Sequence, residues 1–125
     1  TQPDAIRALD AFRPRAFHEP VGVVDDCRAT FRPAGHILGA ASVELDCAGT
    51  HVVFSGDLGR YGSATMVDPE AVSRADYLVV ESTYGNRRHD PTSPEEALED
   101  VVGRTAARGG TVVIPAFAIG RAQSL

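Results

Sequence analysis

The sequence contains no lysine; its 12 basic residues are all arginine, and 17 acidic residues leave a net charge of −5. Non-specific binding to nucleic acid depends on Lys and Arg neutralising many phosphates. Bulk charge therefore excludes a general nucleic-acid coat, though not a nuclease whose local site opposes the global charge. Long apolar runs are missing too: nothing approaches the ~18 residues of a membrane span. The opening stretch, TQPDAIRALD, has neither a basic n-region nor an apolar h-region, so no secretory signal is read there and a cytoplasmic location is expected. There is no initiator Met, and the chain stops inside a helical pattern, which reads as part of a larger protein. Cysteine is scarce. Cys27 and Cys47 lack CxxC spacing, and the expectation is two buried free thiols in a reducing compartment rather than a disulfide or a metal pair.

What remains is ordinary for one soluble domain: 125 residues, 43% hydrophobic and 23% charged. Pro3 is suited to open a short helix over 4–12. A Pro-broken connection follows over 13–20, then a strand over 22–31. Residues 41–47 alternate Val43, Leu45 and Cys47 with Ser42, Glu44 and Asp46, the period of a half-buried strand. Ala48-Gly49 is a turn signal, so 50–55 is predicted to return as the second arm of a hairpin. Residues 56–72 are rich in glycine and turn formers. ADYLVVES is a short, nearly continuous apolar strand suited to burial on both faces. After a loop over 83–92, Ser93 and Glu96 form a capping box. Ala97, Leu98, Val101, Val102 and Ala106 share one face of the helix behind it. Gly109-Gly110 ends that helix, TVVIPAFA reads as another strand, and GRAQSL begins a further helix. The order predicts an α/β fold, with a βαβ unit over 78–125.

Three polar residues stand at predicted strand ends or in the loops between strands. His36 is flanked by Gly35 and Gly39 in PAGHILGAA, Asp57 follows a strand in SGDLG, and Glu81 ends YLVVE. Strand ends aim side chains into a common crevice. One imidazole and two carboxylates are donors that zinc accepts. Each residue also has a plainer reading: a turn histidine, an Asx-turn aspartate and a strand-end carboxylate. Spacing alone allows a metal hydrolase and goes no further.

Four blocks, AGHILGAA, FSGDLGR, ADYLVVESTYGNRRH and GGTVVIPAFAIGRAQ, occur in this order. Together they resemble the β-CASP nucleases of the metallo-β-lactamase fold, RNA-processing exo- and endonucleases related to the endonuclease of cleavage and polyadenylation. The resemblance runs from about residue 20 to 125. It implies part of a metallo-β-lactamase αβ/βα sandwich over 1–86 and the start of an inserted β-CASP α/β domain over 87–125. It implies zinc-dependent hydrolysis of RNA phosphodiesters, with two zinc ions in the complete protein, RNA as partner, no membrane, and a homodimer as one option. His36 matches a zinc-ligating histidine, and Asp57 matches the aspartate that bridges the two ions. Glu81 matches an acidic residue that bonds a downstream histidine thought to protonate the leaving group. Arg121 and Gln123 match a helix opening; packing is their default, with a phosphate contact by Arg121 the alternative.

The family's H-x-H-x-D-H signature is absent from these residues. His18 fits no family motif, and His51 and His89 read as surface residues. The chain alone is therefore expected neither to cut RNA nor to bind zinc tightly. The alternatives are a DNA-repair nuclease of the same superfamily and a non-catalytic RNA-binding or scaffolding paralogue. A small-molecule hydrolase of the plain metallo-β-lactamase fold would not continue into IPAFAIGRAQ.

Overall fold

Two tight turns build most of the sheet. Asp26 adopts a left-handed φ of 58°, as do Ala48 and Gly49 at 50° and 84°, which is the geometry of two-residue hairpin turns. The computed structural model describes residues 1–88 and 91–116, in two compact units, Thr1–Glu81 and Ser82–Leu125.

In the first unit, helix α1 (Gln2–Asp10) precedes a sheet of β1 (Val21–Val24), β2 (Cys27–Pro33), β3 (Ala41–Cys47), β4 (Thr50–Phe54) and β5 (Tyr77–Val79), in that spatial order. The first four strands pair antiparallel in sequence; β5 lies parallel to β4, which the long 55–76 connection allows. The strand expected over 22–31 is two strands. Asp25-Asp26 turns the chain there, because aspartate tolerates the left-handed conformation that a hairpin needs.

Register sorts the sheet into two faces. Ala29, Leu45, Val52 and Tyr77 align across four strands, and Phe31, Val43, Phe54 and Val79 align beside them. The opposite face carries Arg28, Thr30, Arg32, Glu44, Asp46 and His51, with Val53 among them at 2% exposure. β5 departs from the sequence reading. It was expected to be buried on both faces, yet Leu78 and Val79 are 59% and 54% exposed, because β5 is the edge of the described sheet. Among the described residues, no helix is long and apolar enough to cross a membrane.

The cysteines also require a correction. Cys27 and Cys47 are joined in a disulfide, not free. The β2–β3 register sets them directly opposite each other with Cα atoms 4.1 Å apart, which spacing along the chain did not reveal. The bridge closes a sequence separation of 20 residues. Reduction, or replacement of both residues by Ser, is expected to lower stability by about 2–4 kcal/mol. Urea melts with and without reductant measure it, and coincident midpoints would mean that strand pairing alone holds the register.

In the second unit, helix α2 (Pro94–Ala107) starts at the expected N-cap, with the Ser93 half of the expected capping box in place. The Ser93 hydroxyl accepts the Glu96 N–H at 3.4 Å, acidic residues fill the first turn, and Arg104 lies in the last. Val101 and Val102 remain about half exposed, and the buried residue of the helix is Thr105. The strand expected at 111–118 is not formed over 111–116, where no partner strand is present among the described residues, so the βαβ reading is not met there. The expected helix at 120–125, Arg121 and Gln123 within it, and His89 lie outside the described residues.

Candidate functional site

Three of the recognised sequence blocks meet at one end of β2, β3 and β4. The first is the 34–40 loop that carries His36. Ala34 is fully buried; its N–H donates to the Ala40 carbonyl at 3.0 Å, and the Ala40 N–H donates to Ile37 at 3.0 Å. Gly35 has φ +69°, and a Cβ there would lie 2.5 Å from the Val67 carbonyl oxygen. Only glycine lets the backbone pass at this point. The turn leaves His36 exposed.

The second block, SGDLG, packs directly onto the first. The Gly59 N–H donates to the Ala34 carbonyl at 2.7 Å, and a Cβ on Gly59 would stand 1.9 Å from the Gly35 oxygen. The His36 and Asp57 loops therefore touch backbone to backbone. Asp57 itself is exposed.

Glu81 is the third element. Its Oε1 accepts the Leu58 N–H at 2.6 Å, which ties the carboxylate to the residue after Asp57. Ser55, 6% exposed, organises the same corner. Its N–H donates to Val79 at 2.9 Å, and its Oγ accepts the Glu81 N–H at 3.0 Å while donating to the Gly56 carbonyl at 2.7 Å. The Ser42 hydroxyl donates to the Ser55 carbonyl at 2.8 Å. Sequence reasoning passed over Ser55, although it stands inside the FSGDLGR block.

The other described histidines stand elsewhere. His51 lies 3.4 Å from Asp46 on β3 and is half-buried rather than on the open surface. The Asp76 carboxyl is held below its ordinary range, first by the His51 backbone N–H and then by Arg74. His18 Nε2 meets Glu70 Oε2 at 2.6 Å, and Arg32 Nη1 donates to Glu70 Oε1 at 2.6 Å. These two hydrogen bonds hold the Glu70 carboxyl below its ordinary range, His18 contributing most. Their stabilisation is fully present above the unfolded carboxyl pKa and is lost as pH falls through the lowered one. Arg32 Nε sits 3.0 Å from Glu44 Oε1, an ion-pair distance without hydrogen-bond alignment.

Among the described residues, no group of three or more His, Cys, Asp or Glu stands in position to hold a metal ion. His36 and Asp57 offer an imidazole nitrogen and carboxylate oxygens on adjoining loops, which is zinc-type chemistry, but a zinc ion takes about four ligands. The donor set in this chain fits a share of a metal site, not a whole one.

No family model matches the chain. It is 35% identical to "Endoribonuclease YSH1" of Eremothecium gossypii over 127 residues, covering 100% of this chain and 16% of that protein. It is 35% identical to the protein of the same name from Saccharomyces cerevisiae over 124 residues, 98% of this chain and 16% of the relative. The "RNase J-like protein" of Methanocaldococcus jannaschii is 32% identical over 126 residues, 98% of this chain and 30% of its own length. The chain thus spans under one third of the length of each of these relatives. Over the stretch that it covers, the chain is similar to proteins named endoribonuclease YSH1 and to an RNase J-like protein, and this likeness supports the β-CASP RNA-nuclease resemblance that its four sequence blocks carry.

Proposed function

We propose that the complete protein is a zinc-dependent nuclease that hydrolyses RNA phosphodiester bonds, and that this chain carries one part of its site. The observation that carries the reading is the joining of three loops. Gly59 binds Ala34, and Leu58 binds Glu81, so the segments bearing His36, Asp57 and Glu81 adjoin one another. Likeness to proteins named endoribonucleases supports RNA as the substrate. In this reading, residues 1–86 belong to a metallo-β-lactamase fold, and 87–125 begin a β-CASP domain. The remaining metal donors would come from an H-x-H-x-D-H motif outside these 125 residues.

His36 and Asp57 would hold metal, with Asp57 reaching both ions of a pair. Two bound zinc ions would supply hydroxide near neutral pH and clamp the phosphate oxygens. The short aspartate side chain departs from a backbone held on both sides, with the Gly56 carbonyl accepting from Ser55 and the Leu58 N–H donating to Glu81. A Cβ on Gly56 would lie 2.9 Å from the Ala41 oxygen, so a side chain has no room there. Glu81 would accept a hydrogen bond from an imidazole that protonates the leaving oxygen, raising the proton affinity of that ring and setting its orientation.

Glu81→Gln in the full-length protein tests this assignment. RNA turnover is expected to fall about 10²–10⁴-fold, the range of one proton-transfer contribution. Zinc content should stay at that of the unmodified enzyme. Loss of zinc would instead make Glu81 a ligand or a fold element. Absence of chelator-sensitive RNA cleavage by the unmodified protein would refute the nuclease reading itself.

A further inference from the structure

We propose that Glu70 is a positioning residue for the His36 loop, acting through a strap formed by residues 67–70. The inference rests on the reading of His36 as a metal donor, and its geometry stands independently of that reading. The strap crosses beneath the loop at Gly35. There the Val67 carbonyl oxygen lies 2.5 Å, and the ring nitrogen of Pro69 3.0 Å, from where a Cβ would project. Pro69 is buried. Residues 67 and 69 therefore form the floor on which the 34–40 turn rests.

Glu70 anchors that floor at three points. Its N–H donates to the Pro33 carbonyl at 2.9 Å, at the end of β2 where the loop departs. Its carboxylate takes His18 on one oxygen and Arg32 on the other, each at 2.6 Å. His18 is itself fixed, since its N–H donates to the Phe31 carbonyl at 2.9 Å and its φ is +67°. A left-handed φ is costly for a residue with a Cβ and persists where the surroundings enforce it. The side chain that it presents is the one that grips Glu70. The chain of contacts runs from β2 through Arg32 and His18 to Glu70, then to Pro69, Gly35 and His36. His18 is exposed, but Glu70 is also held by Arg32 and by its own N–H.

Arg32 supplies the control, because it faces two carboxylates. Glu44 on β3 lies 3.0 Å from its Nε and does not itself touch the strap, whereas Glu70 is part of it. The experiment compares Glu70→Ala, Glu70→Gln and Glu44→Ala in the full-length protein. It reads zinc affinity by competition with a chelating dye, kcat and KM on RNA, and amide exchange in peptides covering 34–40 and 59. Glu70→Ala is expected to weaken zinc binding about 10–100-fold, the range for residues that orient a metal ligand. It should lower kcat with little change in KM, and speed exchange at Ala34, Ala40 and Gly59. Glu70→Gln, which keeps an acceptor for Arg32, should recover much of each. Glu44→Ala, which leaves Glu70 and its three anchors in place, should change each of them far less.

Equal effects of Glu70→Ala and Glu44→Ala would overturn the proposal, as would a Glu70→Ala protein that melts earlier but keeps its zinc affinity and its exchange at 34–40. If Glu70→Ala does not fold, unaltered exchange and zinc affinity in Glu70→Gln beside a normal Glu44→Ala would overturn it equally. If the unmodified protein neither takes up zinc nor cuts RNA, the nuclease reading fails on its own, and the exchange data still decide whether Glu70 holds the loop.

Discussion

Gly59→Ala is expected to break the junction of the two loops and cost about 1.5–4.5 kcal/mol, from overpacking and a lost buried hydrogen bond. The added methyl would stand 1.9 Å from the Gly35 oxygen, 2.2 Å from its carbonyl carbon and 2.8 Å from the His36 nitrogen. All three are backbone atoms, so no rotamer change relieves the clash. Gly35 is itself closely packed, with the Val67 carbonyl 2.5 Å from where its own Cβ would project. The loops must separate, and the 2.7 Å bond from Gly59 to fully buried Ala34 goes with them. Gly39→Ala is the comparison. It lies in the same loop at φ +81°, but a Cβ there meets nothing within 4 Å. Only the left-handed backbone penalises it, by about 1–2 kcal/mol. Denaturant midpoints of the two variants measure the difference. Equal losses would mean that the loop contact does not hold the corner together.

That contact also shows how far the sequence could be read. The hairpin at Ala48-Gly49 was legible because its turn residues and the period-two strands beside it agree, and the structure realises both. Helix α2 was legible for the same reason, with cap, acidic first turn and terminal glycines all in agreement. Asp25-Asp26 misled because Val23, Val24 and Cys27 on either side continue an apolar pattern, and the turn propensity of two aspartates was outweighed. The disulfide was invisible because pairing depends on register between β2 and β3, which no spacing within one strand encodes. At the site, the glycines of AGHILG and SGDLG signalled close backbone approach, but not that the two loops approach each other. Glu70 gave no signal at all: within MVDPEAV it is one acid in a turn-rich run. Its partners, His18 and Arg32, are 52 and 38 residues away.

Asp57→Ala is expected to abolish RNA cleavage by the full-length protein and to deplete its metal while leaving the stability of the metal-free protein nearly unchanged. This pairing of outcomes separates chemistry from architecture at a position two residues from Gly59. The Asp57 side chain is exposed, and the contacts that shape its loop run through the Gly56, Leu58 and Gly59 backbone. An exposed substitution away from such contacts usually costs within about 0.5 kcal/mol. If Asp57 reaches two metal ions, as proposed, the consequence for activity is far larger. Residues that merely orient a metal ligand cost about 10–100-fold in affinity or activity when removed, and a bridging ligand must exceed that. Asp57→Asn sharpens the test: it keeps the shape and one oxygen but removes the charge, so metal should still fall while the metal-free melting curve stays with that of the metal-free unmodified protein. Zinc by elemental analysis and turnover of labelled RNA are the two measurements. Full zinc content in Asp57→Ala would remove Asp57 from the metal site and leave it a turn residue. Lost activity together with a collapsed melting curve would mean that the loop needs this side chain for its fold.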